Sequence, residues 1–507
     1  MSDNRPPAKL LGRLAGAAAD LLVSVDEDSE TTARGLAYDS RRVNPGDLFC
    51  CVAGAQSDGH VHAPSAVAAG ATALLVERRL DLGVPEVVVV DARRAMARLA
   101  AEFWDHPARS FKLVGVTGTN GKTTTAYLVD SIMQAAGHPT GLIGTIETRV
   151  GGRVRPGVRT TPESVDLQSL FAEMRNDHVG AVAMEVTSHA LVLNRVEGVR
   201  FDAAVFTNLS QDHLDFHRDM EDYFAAKSGL FRPDRSVKGA ANIDDVYGQK
   251  LLADAQIPLL SFGTAREADV RARNVKVGQH DTEFTIEVHV DGRIEAEGRI
   301  RTHLVGAFNV SNCLAAAAAA LQAGIGWEAI SDGLGALRAV PGRFESIDQG
   351  QSFSVIVDYA HTPDSLDNIL REARRMAGRH GGRVVCVFGC GGDRDAGKRP
   401  LMGGAAARLA DVVIVTSDNP RSEDPRSIIG QILEGVLVER TEGPDAVIED
   451  RATAIRVALG RARSGDVVVI AGRGHETLQE RADGVIPLDD RKVARAALTD
   501  LGLGERP

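Results

Sequence analysis

The chain has 507 residues and a mass of 53.8 kDa. One hydrophobic core rarely organises so long a chain, so we expect about three domains. Hydrophobic residues make up 44% and charged residues 25% of it, ordinary globular values that exclude a disordered chain. The net charge of -11 and the aromatic content of 4% argue against a protein that binds nucleic acid.

The N-terminal residues and the cysteines indicate in which cellular compartment the protein is expected. Residues 9–23 are apolar but contain Arg13 and Asp20, charges that the apolar region of a signal peptide does not carry. The alanine-rich run 314–321 is too short to cross a bilayer. Five cysteines, an odd number, predict reduced, buried thiols and no disulfide framework. We therefore expect a cytoplasmic protein without membrane contact.

Alternating strand-like and helical runs predict an α/β fold with domains at residues 1–110, 111–344 and 345–507. The first domain contains a loop, a turn and a short strand within residues 38–54. The second opens on a buried strand at 111–116, and we expect a central parallel or mixed sheet like that of phosphate-loop ATPases. Its residues 267–300 alternate in polarity as a small antiparallel insertion would, and an alanine-rich helix is predicted at residues 312–323.

The third domain is predicted to be Rossmann-like because four apolar strands alternate with helical stretches. The strand runs are SVIVDYA (354–360), RVVCVFG (383–389), DVVIVTS (411–417) and DVVVIAG (466–472). Each run ends in a loop rich in Asp, Arg, His or Gly. Ligands of open α/β sheets bind outside the carboxyl ends of the strands, so these loops are candidate binding loops.

The strongest local signal is VGVTGTNGKTTT (114–125), in which a strand leads through a glycine-rich turn into a helix. Backbone N–H groups of such a turn bind phosphate oxygens, a lysine reaches the β- and γ-phosphates, and a hydroxyl can hold Mg²⁺. The spacing differs from the standard pattern, since Gly115 lies one residue too far from Gly121. The predicted ATP-binding residues of this loop are Thr117, Gly118, Thr119, Asn120, Gly121, Lys122 and Thr123.

A second run, GDRDAGKR (392–399), has the standard spacing but carries Arg399 where a Ser or Thr would hold the metal. We interpret it as a Gly/Arg loop with another role.

TGTNGKTT (117–124) resembles the phosphate loop of the Mur ligases, and the resemblance covers essentially the whole chain. The further motifs, in family order, are DSRRVNPGDLF (39–49), TTPES (160–164), MEVTSHAL (184–191), NLSQDHLDFH (208–217), YFAAKSGLF (223–231), GAFNVSN (306–312), PGRFE (341–345), DYAHTPDS (358–365), FGCGGDRDAGKRP (388–400), SDNPRSEDP (417–425) and AGRGHE (471–476).

The resemblance implies an ATP-dependent amide ligase of peptidoglycan precursor synthesis. In such a ligase ATP phosphorylates a substrate carboxylate, and an amine attacks the acyl phosphate, so metal ions and cationic side chains are needed at the site. The resemblance assigns one Mg²⁺ to Glu185 and His213, and another to Thr123. It also implies that Lys227, otherwise an ordinary surface lysine, is carbamylated and becomes a metal ligand. The expected catalytic residues are Lys122, Glu185, His213 and Lys227. The HLDFH run (213–217) lacks the glutamate of a zinc protease, so a zinc-protease site is not expected.

Other roles are also implied only by the resemblance. Ser40 and Gln56 are expected to bind the UDP-sugar, and Thr160, Thr161, Thr187 and Arg195 to line the path to the muramoyl peptide. Asn309 is expected at the adenine of ATP, Arg343 at a phosphate or the ribose, and Asp358 at the ribose hydroxyls. His361 lies near ATP or is a packed loop histidine. Leu193 and Arg159 depart from the family pattern and put only fine contacts in doubt.

The run SDNPRSED (417–424) is interpreted as the segment that recognises the incoming amino acid. Meso-diaminopimelate carries a second carboxylate that lysine lacks, and an arginine fork binds a carboxylate bidentately. Arg421 is therefore the expected specificity residue, and relatives that add lysine lack it. The full predicted pocket comprises Arg394, Asp418, Asn419, Pro420, Arg421, Gly472 and Glu476.

The resemblance, together with Arg421, implies a ligase, expected to be a monomer, that adds meso-diaminopimelate to the D-Glu of UDP-MurNAc-L-Ala-D-Glu. A lysine-adding ligase or a folylpolyglutamate-type ligase remain alternatives, the latter disfavoured by residues 39–49 and 418–421. A nucleotide-dependent switch or motor would leave the loops of the third domain without a purpose. A non-catalytic homologue would have to retain Lys122, Thr123 and Glu185 without using them.

Overall fold

The computed structural model describes residues 6–26, 30–54, 57–212, 216–278, 281–378 and 381–502. In this part of the chain the strands form three large sheets and two two-stranded pairs. Helices cover both faces of each large sheet, with separate apolar clusters on the two faces. The predicted α/β class is confirmed.

The first sheet has strand order β2-β7-β6-β5-β4, in which β4 to β7 are parallel and β2 is antiparallel. Its strands and the neighbouring pair are β1 (Lys9–Leu10), β2 (Leu22–Val25), β3 (Thr32–Ala33), β4 (Gly35–Ala37), β5 (Asp47–Cys50), β6 (Ala73–Val76) and β7 (Glu86–Val89). The helices are α1 (Leu11–Gly16), α2 (Ala63–Ala68) and α3 (Ala92–Phe103).

The second sheet places β8 between β12 and β13, at the point where the strand order reverses. Its strands are β8 (Lys112–Thr117), β9 (Thr140–Ile143), β10 (Glu147–Val150), β11 (Arg153–Pro156), β12 (Ala181–Glu185), β13 (Phe201–Phe206), β14 (Ser236–Asn242), β15 (Leu259–Gly263), β16 (Val270–Val277), β17 (Thr282–Val290) and β18 (Arg293–Thr302). The helices are α4 (Lys122–Ala135), α5 (Ser164–Asn176), α6 (Ser188–Val192), α7 (Met220–Ser228), α8 (Val246–Asp254), α9 (Ala307–Gln322) and α10 (Trp327–Ala336). The order is β11-β10-β9-β12-β8-β13-β14-β15-β16-β17-β18, and β8, β9 and β12 to β16 run parallel. This reversal is where ligands of open sheets bind.

Two sequence predictions for this sheet need correction. The antiparallel strands predicted in 267–300 exist as β16 to β18, but they are not a separate insertion, because β16 pairs in parallel with β15 and extends the same sheet. The alanine-rich helix α9 begins at Ala307 rather than at residue 312. Its early polar residues are accommodated because Asn309 donates to Val305 O at 2.8 Å and Asn312 donates to Asn309 at 3.0 Å.

The third sheet contains the four predicted strands as parallel neighbours in the order β20-β24-β21-β22, with β19 antiparallel at one edge and β23 parallel at the other. The strands are β19 (Glu345–Ser346), β20 (Ser354–Asp358), β21 (Val384–Phe388), β22 (Val412–Val415), β23 (Ala446–Val447), β24 (Val467–Ala471), and the hairpin β25 (Leu478–Arg481) and β26 (Gly484–Pro487). The helices are α11 (Pro363–Gly378), α12 (Lys398–Leu409), α13 (Pro425–Glu439), α14 (Arg451–Arg461) and α15 (Asp490–Asp500).

All five cysteines are buried and free, as predicted. Over the described ranges, every helix falls short of the length or the apolar character that crossing a bilayer requires.

A fully buried ion pair joins two helices of the third sheet. Arg451 lies on α14 and donates to Asp490 at 2.7 and 2.9 Å, and its guanidinium also donates to the carbonyl of Ala471, 2.8 Å away at the end of β24. Both side chains are completely buried. The guanidinium therefore fixes a strand end that borders the predicted pocket.

Replacing Arg451 by methionine is expected to destabilise this part of the protein by about 3–5 kcal/mol, because Asp490 would keep a buried, unpaired charge. Hydrogen–deuterium exchange should show amides of β22 and β24 exchanging at least about 100-fold faster. The matched control is Arg408→Met, which breaks a half-exposed pair with Glu439 and should change exchange little. Unchanged protection in Arg451→Met would contradict the role given to the pair.

Candidate active site

The phosphate loop, residues 117–123, connects the end of β8 to the start of α4. Two of its glycines have left-handed backbone conformations, with φ of 145° at Gly118 and 84° at Gly121. A Cβ at Gly118 would lie 1.9 Å from Thr207 Oγ1, and one at Gly121 would lie 2.3 Å from Asn312 Oδ1. Only glycine fits both positions, so the loop can bring its N–H groups close to an anion.

Lys122 begins α4 and folds its ammonium back over the loop. Its Nζ donates to Gly118 O at 3.0 Å and to Thr119 O at 2.7 Å. Desolvation lowers the pKa of Lys122, while the charge of Glu185 acts in the opposite direction. The two carbonyl groups are neutral dipoles and do not balance the charge of the Lys122 ammonium. A polyanion bound in the loop would supply the missing negative charge.

Glu185 ends β12 and connects the loop to the neighbouring strand. It is buried and accepts from Thr123 Oγ1 at 2.9 Å, from Thr145 N at 2.7 Å and from Thr145 Oγ1 at 3.2 Å. The structure thus brings together Thr123 and Glu185, which were predicted as separate metal ligands. Thr145, in the turn between β9 and β10, was not found from the sequence.

Lys227 is 1% exposed, so the interpretation of an ordinary surface lysine is wrong. It lies on α7, and its Nζ donates to Gly118 O at 2.7 Å and lies 4.5 Å from the centre of the Tyr223 ring. Burial, together with the nearby charge of Lys122, lowers the pKa of Lys227 well below its usual range. Helical periodicity alone could not show this, because the partner is a loop 109 residues away in sequence.

The oxygen-rich donor set fits Mg²⁺, which binds through few protein oxygens and keeps several waters. Thr123 and Glu185 supply such oxygens, and the buried Thr117 hydroxyl at the start of the loop has no hydrogen-bond partner among the described residues. Within those residues no cluster of three or more His, Cys, Asp or Glu side chains is arranged around a metal position. His213 and Gln56, two predicted site residues, lie outside the described residues.

Two residues, one just before the third sheet and one on its helix α11, reach the phosphate loop. Arg343 Nη2 donates to Thr123 Oγ1 at 3.3 Å, and its guanidinium lies 4.5 Å from the centre of the Tyr359 ring. Asp364, which sequence analysis missed, begins α11 and accepts from Asn120 at 3.3 Å and from Ser210 at 2.8 Å. These bonds hold the second and third sheets together across the predicted nucleotide site.

The other predicted contacts of ATP are partly occupied by the protein itself. Asp358 accepts from the backbone N–H of Phe344 at 2.6 Å and of Ala360 at 2.7 Å, and desolvation raises the pKa of its carboxyl group. Asn309 is buried, its amide donates to Val305 O just before α9, and its Oδ1 accepts from Asn312 on α9. His361 is exposed and its ring lies 4.6 Å from that of Tyr359, beside Arg343. Their roles toward ATP stay predictions.

Threonines from three segments of the chain form hydrogen bonds with one another and with Glu185. Thr160 Oγ1 lies 3.0 Å from Thr145 Oγ1, and Thr161 Oγ1 donates to Glu185 O at 2.9 Å. Thr187 caps α6, and its backbone N–H donates to Thr161 Oγ1 at 3.2 Å. The predicted substrate-path threonines therefore form one network with the predicted metal ligand.

Glu163, also missed from the sequence, gathers three arginines between the first and second sheets. Its carboxylate lies 2.9 Å from Arg195, 2.7 Å from Arg159 and 3.3 Å from Arg93. One carboxylate against three guanidiniums leaves a surplus of positive charge, which suits an acidic substrate. The family departure at Arg159 thus adds a cation to this cluster.

Ser40 and Leu193 lie at the margins of this region. Ser40 is half-buried in a helical turn that Asp39 caps, two residues after Tyr38, whose hydroxyl donates to Asp166 on α5. Leu193 is the C-terminal cap of α6. Its backbone N–H donates to His189 O at 2.8 Å, and nothing in the structure explains this departure further.

The predicted amino-acid pocket lies at the carboxyl ends of β21, β22 and β24. Asn419 Nδ2 donates to Glu476 Oε2 at 2.7 Å, and its Oδ1 accepts from Arg473 at 2.6 Å. A Cβ at Gly472 would lie 2.5 Å from Asp418 Oδ2, so only glycine allows these loops to approach. Desolvation and the charge of Asp418 raise the pKa of Glu476. Two adjacent carboxylates of this kind suit an ammonium ligand.

Arg421 is brought to the same edge, as predicted. Its Nε donates to Glu480 at 2.8 Å and its Nη1 to Gly392 O at 2.7 Å. Pro420 packs against the glycine-rich loop, where a Cβ on Gly392 would lie 1.9 Å from Pro420 O. Arg394, on that loop, is exposed and makes no hydrogen bond that the structure records between described residues.

The structure gives the second glycine-rich run, residues 392–399, a non-phosphate role. Arg399 is 1% exposed, and it donates to both oxygens of Glu423, at 2.8 and 2.9 Å, to Gln431 at 2.7 Å and to Gly391 O at 3.1 Å. It therefore ties the loop after β21 to the loop after β22. The unusual Arg in place of Ser or Thr was the sequence signal for this.

These observations define a class of protein: an α/β enzyme with a phosphate loop, in which a nucleotide site faces an amino-acid-sized polar pocket. Three family models match the chain. They are the Mur ligase family, catalytic domain, over residues 32–104, the Mur ligase middle domain over residues 116–320, and the Mur ligase, glutamate ligase domain, over residues 342–474.

Individual relatives agree. A UDP-N-acetylmuramoyl-L-alanyl-D-glutamate--2,6-diaminopimelate ligase of Streptomyces avermitilis is 46% identical over 97% of this chain and 96% of its own length. The ligase of the same name from Geobacillus kaustophilus is 49% identical over 92% of this chain and 95% of its own. A solved structure carrying that name superposes with a TM-score of 0.68 at 31% identity, covering 95% of this chain and 98% of that one. The chain belongs to the Mur ligase family and is a ligase.

Proposed function

We propose that this ligase joins meso-diaminopimelate to the D-Glu of UDP-MurNAc-L-Ala-D-Glu, with conversion of ATP to ADP and phosphate. The relatives whose names contain diaminopimelate support the pair of substrates. The observation that carries the proposal is the position of Arg421 beside the Asn419–Glu476 pair at the ends of β22 and β24. This pocket offers one cationic fork and one anionic group, which matches an amino acid with a second carboxylate.

The first step transfers the γ-phosphoryl group of ATP to a carboxylate oxygen of D-Glu and releases ADP. The N–H groups at the start of α4 and the Lys122 ammonium bind the phosphates, and they replace water around the developing charge. Arg343, 3.3 Å from Thr123 Oγ1, adds a second cation from the segment that leads into β19. Because Asp364 on α11 also bonds Asn120 of the loop, closure of the second and third sheets around ATP is part of the reaction.

Mg²⁺ would be held by Thr123, Glu185 and a carbamylated Lys227, with His213 as a further proposed ligand. When bound, the ion neutralises phosphate charge and polarises the phosphoryl group. Glu185 is already oriented for this by Thr145, and Thr161 fixes the end of its strand.

In the second step the amine nitrogen of diaminopimelate attacks the acyl carbon, a C–N bond forms, and inorganic phosphate leaves. Asp418 and Glu476 hold the ammonium end of the amino acid, and Arg421 binds the distal carboxylate. Glu163 with its three arginines lies between the first and second sheets and suits the acidic peptide of the UDP-sugar.

The division into domains 1–110, 111–344 and 345–507 belongs to the same proposal and is supported by the three sheets and the three matched ranges. A single copy carries all of the described site residues, which supports a monomer. Five free, buried thiols suit a reducing cytoplasm.

The reaction is tested by phosphate release with ATP, Mg²⁺, UDP-MurNAc-L-Ala-D-Glu and meso-diaminopimelate. Sustained release is expected only when all components are present, and omission of each in turn is the control. Release that does not require the UDP-sugar, or no release from a folded protein, would contradict the proposed reaction.

Carbamylation of Lys227 can be observed without turnover. The amine is enclosed by the phosphate loop and Tyr223, where an anionic carbamate would face Lys122. With ¹³C-bicarbonate, the wild-type protein is expected to show a carbamate carbon resonance that Lys227→Gln lacks. Loss of this ligand should also lower kcat about 100-fold, in the upper range for groups that support a metal site. A spectrum identical in both proteins would contradict the modification.

A further inference from the structure

The hairpin β25–β26 lies just beyond the part of the chain that the family model matches, residues 342–474. Sequence reasoning assigned it no function. In the structure it lies against the loop after β22, residues 418–421, which forms one wall of the proposed amino-acid pocket.

Each of the two β25 residues nearest the pocket bonds this loop. Gln479 Nε2 donates to Asp418 O, and the backbone N–H of Glu480 donates to Asn419 Oδ1 at 3.0 Å. In return the backbone N–H of Arg421 donates to Glu480 O at 3.1 Å. The hairpin therefore holds the pocket loop at three points.

The backbone of Arg421 needs such support. Its φ of 53° lies in the left-handed region, which residues with a Cβ rarely adopt. The Glu480 carbonyl fixes this conformation by accepting the Arg421 N–H. Strained conformations of this kind persist where the surrounding structure over-determines them, and they cluster at ligand sites.

The side chain of Glu480 fixes the other end of the arginine. Its Oε2 accepts from Arg421 Nε at 2.8 Å, while Gly392 O accepts from Nη1 at 2.7 Å. These two bonds define the plane of the guanidinium. The hydrogen bonds recorded among described residues use Nε and one hydrogen of Nη1, so the second Nη1 hydrogen and both hydrogens of Nη2 stay available for a bidentate contact with a ligand carboxylate.

We infer that Glu480 is a positioning residue for amino-acid specificity, which aims the Arg421 fork at the second carboxylate of the incoming amino acid. The inference rests on the proposed function. Glu480 also carries a negative charge, which repels that carboxylate. Its side chain is 53% exposed, so solvent screens this repulsion, and the loss of a fixed arginine rotamer outweighs it.

The test compares steady-state constants of Glu480→Ala with those of the wild type. The KM for meso-diaminopimelate is expected to rise roughly tenfold, the loss typical of a charge-assisted hydrogen bond that orders its partner. The kcat and the KM for ATP should stay within about twofold, which also shows that the pocket has folded. Glu480→Gln keeps an acceptor oxygen, so its KM for meso-diaminopimelate should lie between those of the wild type and Glu480→Ala. Asp483→Ala, an exposed carboxylate in the turn of the same hairpin, is the matched control and should behave as the wild type.

A double-mutant cycle separates positioning from a general structural effect. In an Arg421→Ala background, Glu480→Ala should add less than about a twofold change, because Glu480 acts through Arg421. An unchanged KM in Glu480→Ala, or a tenfold rise in both backgrounds, would overturn the inference and leave the proposed function standing. No turnover of meso-diaminopimelate by the wild-type protein would overturn both.

Discussion

Lys122→Met is expected to lower kcat about 1000-fold, the upper range for removal of one donor from a site of developing charge. Methionine is similar in length to lysine but has no charge, so the variant loses the only cation at the start of α4 that can contact the phosphates of ATP. The backbone N–H groups of the loop remain, so some affinity for ATP should persist.

The fold should survive this change. Burial lowers the pKa of Lys122, so the folded state disfavours its charged form relative to the unfolded chain, and a neutral side chain removes that cost. The melting temperature without nucleotide should therefore be no lower than that of the wild type. Lys112→Met is the matched control, because Lys112 lies at the opposite end of β8 and bonds only Ala323 O among the contacts recorded for its side chain. A Lys122→Met enzyme within tenfold of wild-type kcat would contradict the assignment of the loop.

Arg421→Ala is expected to reduce kcat/KM for meso-diaminopimelate about 100-fold, because a bidentate, charge-assisted contact with the distal carboxylate is lost. Turnover of L-lysine should not fall, since lysine has no second carboxylate and its ammonium is repelled by Arg421. The ratio of kcat/KM for meso-diaminopimelate to kcat/KM for L-lysine should therefore fall about 100-fold. Steady-state measurements with each amino acid at saturating ATP give this ratio directly.

Arg421→Lys should not restore the preference, because an ammonium group cannot form the planar fork. The control is Arg426→Ala, which removes an 83% exposed arginine from the same loop region. If Arg421→Ala left both substrates unaffected, diaminopimelate would have to be recognised elsewhere.

The fold could largely be predicted because buried parallel strands are apolar runs that end in polar loops. The strands β8, β20, β21, β22 and β24 were found in this way within one or two residues of their ends. The pairing of β16 with β15 could not be predicted. Sequence alternation shows which face of a strand is buried, but it does not show which strand lies alongside.

The candidate site was predictable where one segment supplies the chemistry, as in residues 117–123. Where a residue acts on a distant loop, the residue pattern alone did not predict it, and Lys227 was singled out only by the family resemblance. Asp364 bonds Asn120 across 244 positions, Lys227 bonds Gly118 across 109, and Glu480 orients Arg421 across 59. Each resembles an ordinary helix or hairpin residue in sequence, and only the three-dimensional structure shows its partner.

The central claim is the identity of the joined amino acid, and a competition experiment tests it most directly. The wild-type protein is incubated with Mg-ATP, UDP-MurNAc-L-Ala-D-Glu and equal concentrations of meso-diaminopimelate and L-lysine, and the products are separated by mass. We predict that the diaminopimelate product exceeds the lysine product by at least about 100-fold, the discrimination expected when a site reads a charged group that the competitor lacks. A mixture of comparable amounts, or a predominance of the lysine product, would contradict the account.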